Sequence, residues 1–118
     1  MKTVFIAHRI SGDVKENIRS ALRWARWALI ERQVVPVLPY AYLCQILDDG
    51  LNYERKLGLE CSMEVLMRCE EVWTCGPRPN NDSEVWKELA EAERMNKRII
   101  DYLGLSLPPE YANFSPAE

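Results

Sequence analysis

Hydrophobic and polar residues follow one another along the chain in blocks that predict strands and helices in turn. A continuous apolar run over residues 3–7 is typical of a buried parallel strand. Apolar runs bounded by turn residues at 33–39, 72–75 and 98–102 predict three further strands. Segments with helical spacing separate these runs. This alternation favours a three-layer α/β fold, with a flavodoxin-like or Rossmann-like parallel sheet of about four to five strands flanked by helices.

The first helix is predicted over residues 14–32, where apolar side chains recur every three or four positions. Its apolar stripe consists of Val14, Ile18, Ala21, Leu22, Ala25, Ala28 and Leu29. Trp24 and Trp27 lie close to this stripe, so we expect them to pack at the edge of the core, with a subunit interface as the alternative. A second helix is predicted in the later part of residues 51–68. Gly58 is a candidate position for a kink or a break in this helix.

The second predicted strand and the segment after it carry mixed signals. Pro36 cannot donate a hydrogen bond to a strand ladder, which predicts that this strand lies at the edge of the sheet. Residues 40–50 are predicted to lead into a loop. Asp48 and Asp49 lie next to a glycine, which is first of all a turn and helix-start signal rather than a metal or catalytic pair. Arg55, just beyond, is a candidate contact for an anion.

Length, composition and charge describe one globular domain. The chain has 118 residues, of which 47% are hydrophobic and 28% charged, enough for one hydrophobic core and too few for two. A net charge of −3 disfavours a nucleic acid polymer as the partner, although a single nucleotide needs only a local anion site. We expect a domain over residues 1–102 and a C-terminal tail over 103–118, which contains Pro108 and Pro109 and little periodicity.

Cysteine and histidine usage argues against a metal site. The cysteines at positions 44, 61, 69 and 75 form no C-x-x-C pair, and His8 is the only histidine. We therefore expect no metal, and buried free thiols in a reducing compartment. The first apolar run is too short for a signal peptide and no stretch approaches a membrane span, so we expect a cytoplasmic protein without a membrane partner.

One candidate site lies where the third predicted strand passes through a loop into a helix. Asp82 and Ser83 are favoured helix N-caps. The apolar positions that follow at helical spacing are Val85, Leu89 and Ala92. Glu88 lies about five residues into this helix, and helical side chains lean toward the N-terminus, so its carboxylate can reach the sheet edge at which α/β proteins bind ligands. On spacing alone, a glutamate in a charged helix is more often a solvated residue.

A second candidate site follows the first strand. Residues 8–13 combine a hydroxyl, a glycine and a helix cap directly before the first helix, an arrangement that suits an anion but is also common in ordinary turns. Arg9 either pairs with a phosphate through its fork of donors or is a solvated loop residue. His8 is more typical of a structural hydrogen bonder, and we place it in the pocket wall. Both candidate loops follow strands, so a parallel sheet brings them to one edge.

These stretches resemble the nucleoside 2-deoxyribosyltransferase superfamily, which includes deoxynucleoside-monophosphate N-glycosidases and small phage and bacterial relatives of unassigned function. The superfamily pattern is Asp-Ser-Gly-Thr or Ser-x-Gly-Met, two residues, Glu, an aliphatic residue, two residues and Ala. The positions that match are Asp82, Ser83, Glu88, Leu89 and Ala92. Two positions differ from the pattern: Glu84 replaces its Gly, and Val85 replaces its Thr or Met. In the superfamily, that Gly allows the substrate to approach the backbone closely.

The resemblance covers most of residues 3–100. Relatives often begin with an apolar strand and then Ser-Gly-Pro-Ile-Ser-Gly or Cys-Gly-Ser-Ile-Arg-Gly. The matching positions here are Ile10, Ser11 and Gly12, while His8 and Arg9 replace a glycine and a proline. In the monophosphate-specific relatives this loop holds the 5′-phosphate, which implies substrate binding by Ser11, Gly12 and Arg9.

The resemblance also implies roles for the residues around the second loop. Glu88 would be the nucleophile that attacks C1′ of a deoxynucleoside, and Asp82 would hold the sugar hydroxyl or help to protonate the base. Ser83 at the helix start can contact a phosphate. Glu84 lies on the same helix face as Glu88, where it either supplies a general acid or repels a phosphate and closes the pocket. Tyr40 stacks on a nucleobase or covers the edge of the sheet.

Three functions therefore remain open at this stage. The first is an N-glycosidase or 2-deoxyribosyltransferase that acts on a nucleoside or nucleotide without a cofactor. The second is a module that binds a nucleotide or a nucleotide-derived signal in the same pocket without chemistry. The third is an oligomeric structural or partner-binding protein that keeps only the fold. Because a neighbouring subunit often completes the site in this superfamily, we expect a homodimer or a larger homo-oligomer.

Overall fold

A parallel sheet forms the centre of the molecule. The computed structural model describes residues 1–117, and within them the strands are β1 (Thr3–Ala7), β2 (Val35–Val37), β3 (Glu71–Thr74) and β4 (Arg98–Asp101). All three strand pairs are parallel, and the order across the sheet is β2-β1-β3-β4. The predicted α/β class is confirmed, and Pro36 lies in an edge strand as its missing donor requires.

The helices connect these strands and cover both faces of the sheet. Within residues 1–117 they are α1 (Val14–Arg32), α2 (Tyr40–Ile46), α3 (Asn52–Arg68), α4 (Glu84–Arg94) and α5 (Pro109–Ala112). None of these helices is both long enough and apolar enough to cross a membrane.

Two helix predictions are corrected by the structure. The loop predicted after β2 is in fact the helix α2, which buries only Leu43 and is too short to show a helical period in the sequence. Gly58 does not divide α3, which runs through it without a break. A Cβ atom at Gly58 would lie 3.1 Å from Cδ1 of Leu47, so this glycine allows the end of α2 to approach α3 closely.

The sheet carries one hydrophobic cluster on each face because its side chains alternate along the strands. Val4 and Ile6 belong to the cluster under α1, whereas Phe5 and Ala7 belong to the cluster under α3 and α4. The first cluster is aromatic and contains Trp24, Trp27, Trp73 and the partly buried Tyr102. Core packing of the two α1 tryptophans is thereby confirmed, and neither presents an exposed surface for an interface.

The predicted stripe of α1 is wrong at its two ends. Val14 and Leu29 are 41% and 46% exposed, because the helix instead turns a face through Asn17 and Trp24 toward the sheet. The buried Asn17 in this face contacts the loop after β1.

The C-terminal segment packs along α1 of the same chain. The buried Tyr111 of α5 donates a hydrogen bond from its hydroxyl to a carboxylate oxygen of Glu31. Arg23 donates through Nε to the carbonyl of Phe114 at 2.8 Å, and the Arg26 guanidinium lies 4.3 Å from the centre of the Phe114 ring. These contacts tie the end of the described chain to the aromatic cluster.

All four cysteines are free thiols. Cys69 and Cys75 are buried, as expected, and Cys61 is partly buried. The expectation of burial is wrong for Cys44, which is exposed on α2.

Candidate active site

A cavity of about 590 Å³ opens at the carboxyl ends of β1 and β3. Its walls come from the loop after β1, from α2 and α3, and from the loop and first turns of α4. The predicted site residues that line it are His8, Arg9, Ser11, Tyr40, Asp82, Ser83, Glu84 and Glu88. Gly12 is exposed and does not line the cavity, and its φ of +100° shows that its role is to turn the loop into α1.

Glu88 is held in the cavity wall by the way α4 begins. Ser83 caps the helix, its Oγ accepting a hydrogen bond from the amide of Val85 at 3.3 Å. Val85 and Ala92 are buried on the sheet side, which turns the adjacent Glu88 inward, and only 7% of Glu88 is exposed. The solvated position typical of a glutamate in a charged helix is therefore wrong for Glu88.

The Glu88 carboxyl is electrostatically unusual. Burial, and then the charge of Glu84, raise its pKa to about 8. No hydrogen bond from residues 1–117 contributes to that pKa. Burial therefore favours the protonated form of this carboxyl, which lies beside the open volume of the cavity.

Glu84 lies one helical turn before Glu88 on the same wall. Its Oε1 accepts a hydrogen bond from Nζ of Lys87 at 3.2 Å, and its side chain remains one third exposed. Its position in the first turn of α4 also suits the positive end of the helix dipole. A glutamate here fills space that a glycine would leave open against the backbone, so it narrows this side of the cavity.

The loop after β1 is fixed by Asn17, a residue that the sequence patterns did not single out. The buried Asn17 amide donates to the carbonyls of Ile10 and Ser11 at 2.9 and 3.0 Å. Its Oδ1 accepts from Nε of Arg9 at 3.4 Å. The available signal was its register, because Asn17 shares a helical stripe with the buried Ala21.

His8 is a structural residue of the cavity wall. Its Nδ1 lies 2.7 Å from the carbonyl of Arg9, which can only accept, so Nδ1 carries the proton and Nε2 accepts from the Ser20 hydroxyl at 2.8 Å. Burial lowers the pKa of His8 and keeps the ring neutral. A Cβ at Gly76 would lie 2.3 Å from Nε2, so the glycine and its φ of +88° make room for this ring.

Tyr40 covers the end of the sheet and also borders the cavity. Its hydroxyl donates to the carbonyl of Ile6 at 2.6 Å, and its ring meets Phe5 edge to face at 6.5 Å. Burial raises its pKa, with a further contribution from the charge of Glu88. The hydroxyl is thus engaged with the backbone, and the ring is the part of Tyr40 available to a ligand.

The wall opposite α4 comes from α2, α3 and the turn between them. Asp48, Asp49, Glu54 and Arg55 all line it. Asp48 accepts from the amide of Gly50 at 2.9 Å, and Glu54 accepts from the amide of Asp48 at 3.0 Å, so the turn reading of this acidic pair agrees with the structure. Despite the carboxylates, residues 1–117 contain no group of three or more acidic, histidine or cysteine side chains placed to hold a metal.

The fold and the cavity define the chain as an open α/β protein with a cavity at the carboxyl edge of its parallel sheet, the edge at which proteins of this class bind ligands. It belongs to a family described as Domain of unknown function (DUF7768), which matches residues 2–102.

A similar fold occurs among solved structures. A 2-deoxyribosyltransferase from the psychrotolerant bacterium Bacillus psychrosaccharolyticus superposes with a TM-score of 0.67 at 12% sequence identity, covering 92% of this chain and 79% of that chain. At this identity the likeness establishes the shared fold. A comparison with curated proteins finds no match.

Proposed function

We propose that this protein breaks the N-glycosidic bond of a nucleoside or nucleotide, either as a hydrolase or as a transferase that exchanges the base. The observation that carries the proposal is the buried Glu88 carboxyl in the wall of an open cavity. The cavity volume of about 590 Å³ falls in the range of small-molecule sites. The fold shared with a 2-deoxyribosyltransferase supports the same reaction class.

In the proposed reaction, Glu88 passes its proton to Asp82 or Glu84, and the ionised Glu88 then attacks C1′ of the sugar. The base departs with the electron pair of the C1′–N bond and takes a proton from Asp82 or Glu84, and a glycosyl ester of Glu88 forms. Water or a second base then bonds to C1′, the ester C–O bond breaks, and Glu88 regains its electron pair. The proton of the attacking group returns to the carboxylate that acted as the acid.

The remaining wall residues would position the substrate. Arg9 is free to meet a ligand, because Asn17 bonds only its Nε and no carboxylate in residues 1–117 forms an ion pair with it. We assign Ser11 and Ser83 to hydroxyl or anion contacts and the ring of Tyr40 to the base, and Gly12 to the turn that places Ser11. His8 supports the loop from behind.

The larger organisation belongs to the same proposal. We assign the activity to residues 1–102, against which the C-terminal segment packs through Tyr111, and we expect a homodimer or larger homo-oligomer that works without a cofactor. Light scattering at micromolar concentration gives the oligomeric state directly, and a monomer would contradict that part of the proposal.

Glu84 favours a second candidate, a binding module without chemistry. It stands at the position of the superfamily glycine, lines the cavity and is held by Lys87. If the narrowed cavity still binds a nucleotide, the bound ligand would stabilise the fold, and no base would be released.

Base release measured by chromatography separates these candidates. The protein is incubated with deoxynucleosides and their 5′-monophosphates, with and without a second free base, beside Glu88→Ala and the exposed control Glu93→Ala. We expect free base from the wild type and the control, and a loss of at least about a thousandfold with Glu88→Ala, as for removal of a nucleophile. A new nucleoside would mark a transferase.

No base release from a folded wild type would sink the enzyme proposal for these substrates. Ligand-dependent thermal stabilisation in the same samples would then support the binding module. Full activity of Glu88→Ala would contradict the assignment of the nucleophile even if base release occurs.

A further inference from the structure

The charges that line the cavity are strongly unbalanced. Its carboxylates are Asp48, Asp49, Glu54, Asp82, Glu84 and Glu88. Within residues 1–117 the cavity has only two cationic side chains in its wall, Arg9 and Arg55. Six carboxyl groups and two guanidinium groups leave a formal excess of four negative charges, or three when Glu88 is protonated. The field inside the cavity therefore opposes an anion.

The N-termini of α1 and α4, the helices that follow the two candidate loops, already hold carboxylates. Asp13 caps α1, its Oδ1 accepting from the amide of Glu16 at 3.3 Å, and Glu16 itself lies in the first turn. At α4, Ser83 is the cap and Glu84 occupies the first turn. A phosphate placed at either terminus would meet a carboxylate where a phosphate site normally offers free amides.

The cations offer little compensation. Phosphate sites usually bring several guanidinium or ammonium groups together, often with two donors from one arginine. Here Arg9 presents only its terminal nitrogens, because its Nε is bonded to Asn17, and Lys87 is bonded to Glu84 and lies outside the cavity lining. Arg55 lies on the opposite wall beside Glu54.

The same walls suit an uncharged ligand that is rich in hydroxyl groups. Ionised carboxylates only accept hydrogen bonds, so they pair with O–H and N–H donors such as those of a sugar or a nucleobase. The Tyr40 ring and the apolar Leu43 and Met63 add surface for a planar group.

We infer that the ligand of this cavity is an unphosphorylated nucleoside, and that the site discriminates against the 5′-monophosphate. The inference rests on the proposed function for the reaction, although the charges themselves are independent of it. The loop after β1 therefore contacts a 5′-hydroxyl rather than a phosphate.

The test compares each deoxynucleoside with its own 5′-monophosphate by kcat/KM and by the rise in melting temperature. We expect kcat/KM for the nucleoside to exceed that for the monophosphate by at least about tenfold at low salt, with a smaller ratio at high salt as the charges are screened. At equal concentration, only the nucleoside should raise the melting temperature clearly.

Charge reversal provides a matched pair of variants. Asp49→Lys changes the cavity charge by two units at an exposed residue whose side chain makes no hydrogen bond within residues 1–117. Glu93→Lys makes the same change on an exposed part of α4 outside the cavity. Asp49→Lys should reduce the discrimination against the monophosphate about threefold or more, and Glu93→Lys should leave it unchanged.

The outcomes separate this inference from the proposed function. A monophosphate that is cleaved or bound as well as its nucleoside would overturn the inference while leaving the reaction intact. Absence of base release would overturn the reaction, and the melting temperatures would still decide between the two ligand classes. If neither ligand raises the melting temperature, the inference fails as well.

Discussion

At the scale of single residues, the chemistry that we propose for the cavity depends on one carboxyl that is buried away from water. Glu88 has a raised pKa because burial penalises its charge and Glu84 adds repulsion. A carboxyl with a raised pKa stays protonated until the pH rises or a neighbouring base takes its proton. The residue therefore links the proposed reaction to the stability of the fold, and that link is measurable without a substrate.

Glu88→Gln should change how stability depends on pH. The folded protein keeps the Glu88 proton between about pH 4.5 and about 8, whereas the unfolded chain has already lost it, so the free energy of unfolding falls across this window and levels off above it. Glutamine cannot ionise. The variant should match the wild type below pH 4.5 and exceed it at pH 8 by on the order of a few kcal/mol.

Urea unfolding at pH 4.5 and pH 8 measures this effect. The exposed Glu93→Gln, which removes the same charge from the opposite side of α4, is the matched control and should follow the wild type. Parallel stability curves for Glu88→Gln and the wild type would mean that Glu88 ionises normally in the folded protein.

At the scale of elements, α1 does two tasks, since it packs the aromatic cluster and also fixes the loop after β1. Asn17 performs the second task through its hydrogen bonds to Ile10, Ser11 and Arg9. Its side chain is buried, so these bonds replace water that the loop carbonyls would otherwise need.

Asn17→Ala should loosen this loop selectively. Removal of the buried amide leaves two carbonyls without their donor and should lower the free energy of unfolding by about 1–3 kcal/mol. Amide hydrogen exchange should become faster at residues 9–13, and in the proposed reaction KM should rise more than kcat falls. The neighbouring exposed Lys15→Ala is the control. Unchanged exchange at residues 9–13 would contradict a positioning role for Asn17.

Sequence patterns predicted some of these elements correctly and failed to predict others. The bounds of β1 and α1 were predictable, those of β1 from a continuous apolar run and those of α1 from apolar residues that recur at helical spacing, although the stripe of α1 was misplaced at Val14 and Leu29. Helix α2 was not, because seven residues with one buried side chain show no period. Asp48, Asp49 and Glu54 were not predictable as part of the site, because they line the cavity only when α2 and α3 pack against each other. Glu88 stood out through resemblance, not through spacing.

At the scale of the whole molecule, the C-terminal segment bears on where the folding unit ends. Residues 1–102 were assigned to the domain and 103–118 to a tail, yet Tyr111 is buried in the aromatic cluster and Leu107 packs against it. A segment that fills part of a core contributes to stability in proportion to the apolar surface it buries.

Truncation after residue 102 tests this organisation. Loss of Tyr111, Leu107 and the contacts of Phe114 with α1 exposes Trp24 and Trp27, so we expect a fall in the free energy of unfolding of at least about 3 kcal/mol, the cost typical of deleting one large buried side chain. Thermal unfolding followed by tryptophan fluorescence reports on both stability and the exposed cluster. Asn113→Ala, a change at an exposed position of the same segment, is the control. A truncated chain as stable as the full chain would show that residues 103–118 are not needed for folding. The expected loss of stability would make them part of the folding unit. The cavity would then depend on them indirectly, because they pack on α1 and α1 carries Asn17.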